Sequence, residues 1–490
     1  MHRIPYSLVA LLCWAGCLGA AEGLPEQLHR YDIHVADDFS RLDVEACFDK
    51  AVPEFLVVGS SAALDRLDYM TVKMNGSTRR LTPRRRRVNI PHVPDDRCVR
   101  YGVKTDHIND ALRLNIGFKG DSVMLALDYW LWRPTKMDQA TDVLLRFHLP
   151  AGAQVSGPWQ KTVSPDGLPA FLMGRTPYYW PGSIVVGTMH TETLDVAGST
   201  LRLTMLDGLS AEQRSQAREW IKSAAHAVTL MYGEFPLPSP QILIIPVDRG
   251  NDASPFARVV RGGGTAAHFL MNLLASKKDF DEDWVAVHEL SHMSLPYVRR
   301  NDAWLSEGFA SYYQNVLRAR AGMLTPVEAW QKLHEGFGRG TRGTRRVTLA
   351  EATRRMGPDN NYMRVYWSGA AMALIADVQL RHQSNGELSL DVAMARLKHC
   401  CLDSNRSWSG KEIMEKLDTL TETTIFSSLY NKQVYSRSFP NLRPLYRQLG
   451  LEIKRDKVSL HKNAPLFELR DAIMRPDTHS YAEAATSARQ

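Results

Sequence analysis

The chain lacks long apolar segments, cysteine-rich motifs and repeats, and each absence excludes a class of protein. After the first twenty or so residues, no stretch is apolar enough to cross a bilayer, so no transmembrane segment is expected. Only 6 of the 490 residues are cysteine, and none of them has the spacing of a thiolate zinc site. No internal repeat and no low-complexity tract is present, which argues against a repeat array or a disordered chain.

Neither sign of charge dominates the chain: 60 Lys and Arg residues against 53 Asp and Glu residues give a formal net charge of +7. Part of the positive charge lies in six arginines, at Arg79, Arg80 and Arg84–Arg87, among the turn residues Gly76 and Pro83. This run is typical of a solvated loop between strands, so no nucleic-acid partner is expected. The hydrophobic fraction of 44% indicates a soluble globular protein, and the length leaves room for two or three domains.

The first residues have the pattern of a secretion signal. His2 and Arg3 give a short positive start, and Leu8–Leu18 is an apolar stretch too short to span a membrane. The small residues Gly19–Ala21 then offer a cleavage site for a signal peptidase. We therefore predict a signal peptide over residues 1–21 and an exported protein, periplasmic or secreted.

The cysteines add two expectations about the exported chain. Two small residues precede Cys17, as at the end of a lipoprotein signal, so a lipid anchor at Cys17 is an alternative to plain cleavage. An oxidising compartment allows a disulfide between Cys47 and Cys98. Cys400 and Cys401 are neighbours, and since a bond between adjacent cysteines is strained, we interpret them as two small residues at a helix end.

The first third of the chain, residues 22–205, has the pattern of an antiparallel β domain. Short runs of β-forming residues alternate with clusters of Pro, Gly, Asp and Asn. This spacing predicts a β-sandwich. Its clearest strand candidates are Tyr31–Val35, Phe55–Val58, Val123–Trp132, Asp142–Leu149 and Ser183–Gly187.

The pattern changes after residue 205 and again near residue 335. Ser210 and Gln213 form a capping box that opens a helix, and the branched apolar run Gln241–Val247 predicts a buried strand, so residues 206–335 are expected to form a mixed α/β domain. Helical patterns then dominate residues 336–475. The polar residues 476–490 are expected to form a frayed tail.

The central motif is His288-Glu289-Leu290-Ser291-His292. Residues four apart share one face of a helix, so both imidazoles can bind one ion while Glu289 meets a water beside it. Residues 281–283 are acidic and suit the first turn of this helix, and Pro296 ends it. The alternative is a helix face that carries two surface or capped histidines.

Zinc needs a third protein ligand, and Glu307 is the candidate. It lies in Trp304–Tyr313, an aromatic-rich segment that Asn301-Asp302 starts as a second helix. Two helices joined by a turn can bring Glu307 against the histidine pair. We therefore predict one Zn²⁺ ion held by His288, His292 and Glu307.

Together these segments resemble the gluzincin metallopeptidases, and most of all the glycyl aminopeptidase family and the related aminopeptidase N family. The likeness rests on the zinc motif, on Trp304-Leu305-Ser306-Glu307-Gly308-Phe309-Ala310, and on Tyr366-Trp367-Ser368-Gly369. It covers residues 30 to about 450. It implies a multidomain α+β fold, with an N-terminal antiparallel β-sandwich, a thermolysin-like α/β zinc catalytic domain and a C-terminal α-helical domain. It also implies that Glu289 and Tyr366 are catalytic.

The chain departs from these families beside the zinc motif. Ser368 replaces the family's lysine, and the segment between His292 and Glu307 is shorter than in the aminopeptidase N pattern. Gly262, Gly263 and Gly264 fall where the families bind substrate, and as an open edge they could pair with a peptide backbone. No carboxylate lies between Gly262 and Asn272 to hold a free α-ammonium. The choice between aminopeptidase and endopeptidase therefore stays open.

The function that follows is a zinc metallopeptidase acting on peptide or protein substrates outside the cytoplasm. A zinc-activated water attacks the scissile carbonyl, Glu289 is the general base, and Tyr366 stabilises the oxyanion. Tyr366 could instead be a core residue, with Tyr362 a weaker stand-in. The alternative function is a catalytically silent binding or assembly module that has kept the peptidase fold.

Overall fold

A computed structural model describes residues 28–49, 52–92, 97–105, 116–119, 121–135, 142–164, 166–174, 182–261, 264–343, 346–402 and 406–476. The predicted signal peptide, Cys17, Gly262, Gly263 and almost all of the predicted tail lie outside these ranges. None of the described helices is both long enough and apolar enough to cross a membrane.

Residues 28–187 form the β-rich N-terminal part of the protein. Its strands are β1 (Leu28–Val35), β2 (Arg41–Cys47), β3 (Phe55–Val57), β4 (Leu67–Met74), β5 (Ser77–Arg80), β6 (Arg87–Asn89), β7 (Cys98–Lys104), β8 (Ile116–Lys119), β9 (Ser122–Ala126), β10 (Asp142–His148), β11 (Gln154–Ser156), β12 (Gln160–Val163), β13 (Pro169–Met173) and β14 (Ser183–Gly187). One short helix, α1 (Ala62–Arg66), precedes β4. The predicted strand at 123–132 is shorter than expected, because β9 ends at Ala126 and a 3₁₀ turn follows.

Twelve of these strands form two large sheets that share one core, and β3 pairs with β6 in a small separate sheet. The eight-stranded sheet has the order β12-β13-β10-β1-β2-β7-β4-β5, and the four-stranded sheet has the order β11-β14-β9-β8. Alternate side chains of both sheets, such as Ile33, Val44, Leu125 and Ile184, are buried in the same cluster, as two facing sheets require. Pairing is antiparallel except between β1 and β10, which are parallel.

The middle part of the chain forms a mixed sheet with helices on one face. Its elements are β15 (Met189–Val196), β16 (Ser199–Leu206), α2 (Ala211–Thr229), β17 (Gln241–Val247), β18 (Phe256–Arg261), β19 (Thr265–Asn272), α3 (Lys277–Asp281), α4 (Val285–Ser291) and α5 (Ala303–Arg320). The sheet order is β15-β16-β17-β19-β18, with β16, β17 and β19 parallel and both outer strands antiparallel. Residues 189–206, which the sequence pattern placed in the N-terminal domain, belong to this sheet, so that domain boundary lies near residue 188.

The mixed sheet is covered on both faces, which gives the protein its layered order. On one face, Leu243, Ile245 and Leu270 pack against Met124 and Val185 of the four-stranded sheet. On the other face, the sheet packs against the helices through a large apolar cluster. The eight-stranded sheet, the four-stranded sheet, the mixed sheet and the helices therefore stack as successive layers.

The rest of the chain is mainly helical, as predicted. The helices are α6 (Pro326–Arg342), α7 (Leu349–Arg354), α8 (Tyr362–Gln383), α9 (Leu390–Cys401), α10 (Gly410–Thr421), α11 (Ile425–Gln433), α12 (Arg443–Leu449) and α13 (Phe467–Ile473), and a small hairpin, β20 (Leu451–Lys454) with β21 (Lys457–Leu460), lies among them. Capping boxes fix several helix starts, at Ser210 as predicted and also at Thr325 and Ser409. The hairpin is absent from the prediction.

Two pairs of cysteines are joined in the structure. Cys47 and Cys98 lie directly opposite each other in β2 and β7, and their sulfur atoms are bonded, in agreement with the expected pairing. Cys400 and Cys401 are also bonded to each other, at the end of α9. Their position at a helix end is as predicted, but the bond between them was not expected.

Candidate metal centre

The helix under the central motif is short, and its packing fixes where the motif points. In α4, Ala286, Val287 and Leu290 are buried in the apolar cluster, which turns Glu289 and His292 towards the cavity in front of the sheet. His292 follows directly as the first residue of a 3₁₀ turn. Of the three predicted acids, Asp283 is the one that caps the start of this helix: its carboxylate accepts a hydrogen bond from the Ala286 N–H at 2.9 Å.

Glu307 reaches the two histidines from α5. Its Oε2 atom lies 3.3 Å from His288 Nε2 and 3.4 Å from His292 Nε2. A tetrahedral ion with ligands at about 2.0 to 2.1 Å holds its neighbouring ligand atoms about 3.3 to 3.4 Å apart. A direct N–H···O hydrogen bond is shorter, at about 2.9 Å. The three predicted ligands are therefore spaced as a divalent ion requires.

The ionisation of the site suits a cation. Burial opposes the charged form of Glu307, but the neighbouring imidazoles of His292 and His288 outweigh burial and lower its pKa. The carboxyl group is therefore ionised, as a metal ligand must be. With two imidazoles and one carboxylate, the donor set fits zinc and leaves a position for water.

Gln314 orients one of the histidines, and the sequence analysis missed it. The Gln314 Oε1 atom lies 2.7 Å from His288 Nδ1, and both residues are buried. An amide oxygen can only accept, so the proton of His288 lies on Nδ1 and the lone pair of Nε2 faces Glu307. Gln314 lies seven residues after Glu307, two turns along the same helix face, and that spacing could have identified it.

We expect Gln314→Leu to weaken zinc binding by about 10- to 100-fold, the usual effect of losing the partner that orients a metal-bound histidine. Gln314→Glu, which keeps an acceptor at the same position, should retain most of the affinity. Competition with a chromogenic chelator measures both. Equal zinc affinity for the leucine variant and the unmodified protein would contradict this role for Gln314.

Glu289 faces the same point as the ligands without replacing them. Potential ligand atoms of His288, Glu289 and His292 lie within 4.8 Å of one another. Burial raises the pKa of Glu289, and the nearby His292 and His288 partly offset that rise. The backbone N–H of Val259, in β18, donates to this carboxylate. The Glu289 carboxylate is therefore fixed in position by a hydrogen bond, and its raised pKa makes it a stronger base. Both properties suit a general base.

Tyr366 lies on the opposite side of the site, in the first turns of α8. Its ring is stacked on that of His288, with 6.1 Å between ring centres, and its hydroxyl donates to Glu307. Burial and the nearby carboxylates of Glu307 and Glu289 raise its pKa, so the phenol stays protonated. Tyr362, the weaker candidate, is 40% exposed, and its ring contacts the Tyr366 ring edge-on.

Two glycines bring α5 and α8 together at the site. A Cβ atom on Gly308 would lie 2.3 Å from the Cα atom of Gly369, and one on Gly369 would lie 1.8 Å from the carbonyl oxygen of Trp304. Neither position can hold a side chain without moving a helix. Gly308 follows Glu307 directly, and Gly369 lies one turn after Tyr366. The close crossing of α5 and α8 at the two glycines therefore sets the distance between Glu307 and Tyr366.

A buried ionic network holds the same two helices farther along. The Tyr312 hydroxyl donates to Asp377 at 2.7 Å, and Arg381 pairs with Asp377 at 2.9 Å. Arg320 of α5 reaches Asp391 of α9 at 2.8 Å. The network fixes α5 against α8 and α9, so both ends of the helix that carries Glu307 are anchored.

The structure changes the interpretation of the three glycines. Gly262 and Gly263 lie outside the described residues, and Gly264 packs against the backbone of Pro158, where a Cβ would lie 2.0 Å from the carbonyl oxygen. Its small size is therefore explained by a contact with the N-terminal part. The open edge of the mixed sheet beside the site is instead β18, the strand before the glycines.

A cavity of about 410 Å³ lies in front of the site. β18 forms one wall, and the segment between α4 and α5 forms another. Tyr366 lines this cavity and also a second one, which Gln314 borders. The arrangement brings three candidate metal ligands, a carboxylate and a hydroxyl donor around one space, a combination that suits metal-assisted hydrolysis of an acyl group.

Comparison with known proteins agrees with this geometry. Residues 296–377 match the model of the M61 glycyl aminopeptidase family, a segment that includes Glu307 and Tyr366. No curated protein matches the chain in sequence.

Solved structures share the fold over most of the chain. A protein of the aminopeptidase N family from Idiomarina loihiensis has a TM-score of 0.67 at 15% identity, covering 87% of this chain and 79% of that one. An M1 zinc metallopeptidase variant from Deinococcus radiodurans, bound to a Tyr-Ser-Ala substrate, has a TM-score of 0.55 at 16% identity, covering 86% and 96%. The predicted likeness to these families is confirmed, and the family match supports the predicted enzyme class, a metallopeptidase.

Proposed function

We propose that this protein is a zinc metallopeptidase that hydrolyses peptide bonds outside the cytoplasm, with one ion held by His288, His292 and Glu307. The observation that carries the proposal is the spacing of the three ligand atoms, with Glu289 beside them. The Cys47–Cys98 bond supports an oxidising compartment, in agreement with the predicted signal peptide.

The proposed chemistry divides between the ion and the side chains. Zinc, when bound, supplies a Lewis acid that acidifies water and polarises a carbonyl group. A carboxylate oxygen of Glu289 accepts the proton of the attacking water and later gives it to the leaving amine. The raised pKa of Glu289 suits the first step, because it makes the carboxylate a stronger base towards that proton.

Tyr366 and Gln314 complete the proposed site. The Tyr366 hydroxyl stays protonated and can donate to the oxygen that becomes negative during attack. Gln314 keeps the His288 ring in the tautomer that binds metal through Nε2. The substrate backbone would extend along the open edge of β18, which lines the cavity.

The proposed function predicts that peptide cleavage depends on bound zinc. The purified protein should contain about one zinc ion per chain and cleave peptides in a mixed pool. Chelation should abolish cleavage, and added zinc should restore it. A zinc-loaded protein that cleaves no peptide in the pool would contradict the proposal and favour the binding or assembly module.

Tyr366→Phe should lower kcat by about 10- to 1,000-fold, since it removes one donor to the developing oxyanion. Zinc content should not change, because the ring and its stacking on His288 remain. Steady-state kinetics and metal analysis of the same sample provide the test. Unchanged kcat would mean that Tyr366 only packs against the site.

A further inference from the structure

The cavity in front of the metal ligands is lined by cations. Among the described residues that line it, the only carboxylates are Glu289 and Glu307, and the proposed chemistry uses both. A free α-ammonium group would find no unused carboxylate there. The cavity is bordered by four arginines, Arg258, Arg261, Arg299 and Arg300.

Arg261 differs from the other three arginines because it combines partial burial with the lack of an acidic partner among the described residues. Arg299 lies 3.6 Å from Glu412, Arg258 interacts with Asp128, and Arg300 is exposed at the rim. Arg261 is half-buried beside the metal site, where its Nη2 atom donates to the carbonyl oxygen of His292 at 2.6 Å. No carboxylate of the described residues forms an ion pair with it.

The Arg261 guanidinium therefore has capacity left for a ligand. It carries five N–H donors in a planar fork, and the hydrogen bond to His292 uses one. A guanidinium group is not deprotonated in proteins, so Arg261 remains a cation at neutral pH. Holding a half-buried cation without a counter-ion is costly, and a planar carboxylate is the group that best fits the fork.

We propose that Arg261 is a substrate-binding residue that recognises a carboxylate next to the scissile bond, so that the enzyme selects acidic peptides and does not require a free α-amine. The inference rests on the proposed function. The carboxylate can come from an Asp or Glu side chain or from a free C-terminus, since both present the same planar anion. Arg261 ends β18, so a peptide added to that edge passes beside its guanidinium.

The first experiment compares matched peptides on the zinc-loaded enzyme. One pair differs by Glu against Gln beside the cleaved bond, with both ends blocked. A second pair differs by a free or an amidated C-terminus. We expect kcat/KM to favour the carboxylate member of one pair by about 10- to 100-fold, the effect of a charge-assisted hydrogen bond. The pair that responds identifies the source of the carboxylate, and no preference in either pair overturns the proposal.

The second experiment tests whether Arg261 causes that preference. Arg261→Gln should reduce the carboxylate-to-amide ratio to about 1, and Arg261→Lys should keep part of it. Arg249→Gln, which removes one exposed charge from the same domain outside the cavity, should keep the full ratio. The ratio does not depend on the fraction of folded or zinc-loaded protein, so a merely structural role would leave it unchanged. An unchanged ratio in Arg261→Gln overturns the proposal.

Two further measurements separate this inference from the proposed function. N-acetylation of a cleaved peptide should change kcat/KM by less than about tenfold, and a loss of 100-fold or more would overturn the inference while leaving the peptidase function intact. Equilibrium binding of both matched peptide pairs to the Glu289→Gln variant reports the subsite without turnover. Tighter binding of the carboxylate member of either pair supports the subsite even if no peptide is cleaved, and equal binding within both pairs overturns it.

Discussion

Replacing Glu289 by glutamine is expected to leave zinc bound and to lower kcat/KM by about 1,000- to 10,000-fold, the upper part of the range for general acid–base catalysis. Glutamine has nearly the same shape but cannot accept the proton of the attacking water. The three ligand atoms belong to other residues, so the metal should stay. Metal analysis and steady-state kinetics on one preparation measure both effects.

A matched control for this variant lies in the same segment of the chain. Glu282 is exposed, lies at the end of α3 and pairs with Lys278 outside the cavity, so Glu282→Gln should keep normal turnover. Near-normal turnover in Glu289→Gln would end the proposed mechanism. Loss of zinc together with activity would instead assign Glu289 to the ligand set.

Adding a single methyl group at Gly369 is expected to lower both the stability and the activity of the protein. The Cβ atom of Gly369→Ala would lie 1.8 Å from the carbonyl oxygen of Trp304, so α5 and α8 must separate. We expect the free energy of unfolding to fall by about 3 kcal/mol, because backbone cannot move aside as a flexible side chain can. A shift of about 1 Å between catalytic groups costs about 100-fold in rate, and Glu307 and Tyr366 lie on opposite sides of this crossing.

Gly338 in α6 provides the control for this prediction. A Cβ atom there meets nothing closer than Arg342 Nη1 at 3.5 Å. Gly338→Ala should therefore be neutral or stabilising by up to about 1 kcal/mol, since alanine is the better helix former. Chemical denaturation and kcat/KM of both variants are compared. Equal behaviour of the two alanine variants would show that the close helix crossing is unimportant.

The meeting of the three proposed metal ligands could be predicted from the sequence because their geometry is mostly local. Four residues along a helix put His288 and His292 on one face, and a short segment leads to Glu307. Gln314 was equally predictable from its spacing to Glu307. For the same reason the capping box at Ser210 and the strand at Gln241–Val247 were predicted correctly, since both depend on neighbours in the chain.

The errors arose where distant parts of the chain meet. The identity of the open edge depends on the order of the whole sheet, in which β18 is an outer strand. The hairpin of β15 and β16 has the same short β pattern as the preceding strands, and only its pairing with β17 assigns it to the mixed sheet. The contact of Gly308 with Gly369 also joins distant segments, although both glycines stood in the motifs that carried the likeness.

The stacking of the sheets has a consequence for any attempt to shorten this protein. A fragment beginning at residue 188 would keep every proposed catalytic side chain. It would also leave Leu243, Ile245 and Leu270 facing water where Met124 and Val185 now cover them. Such an uncovered apolar face promotes self-association. The amino-terminal sheets thus cover an apolar face of the part that carries the proposed site. Both parts should therefore be expressed together in a single chain.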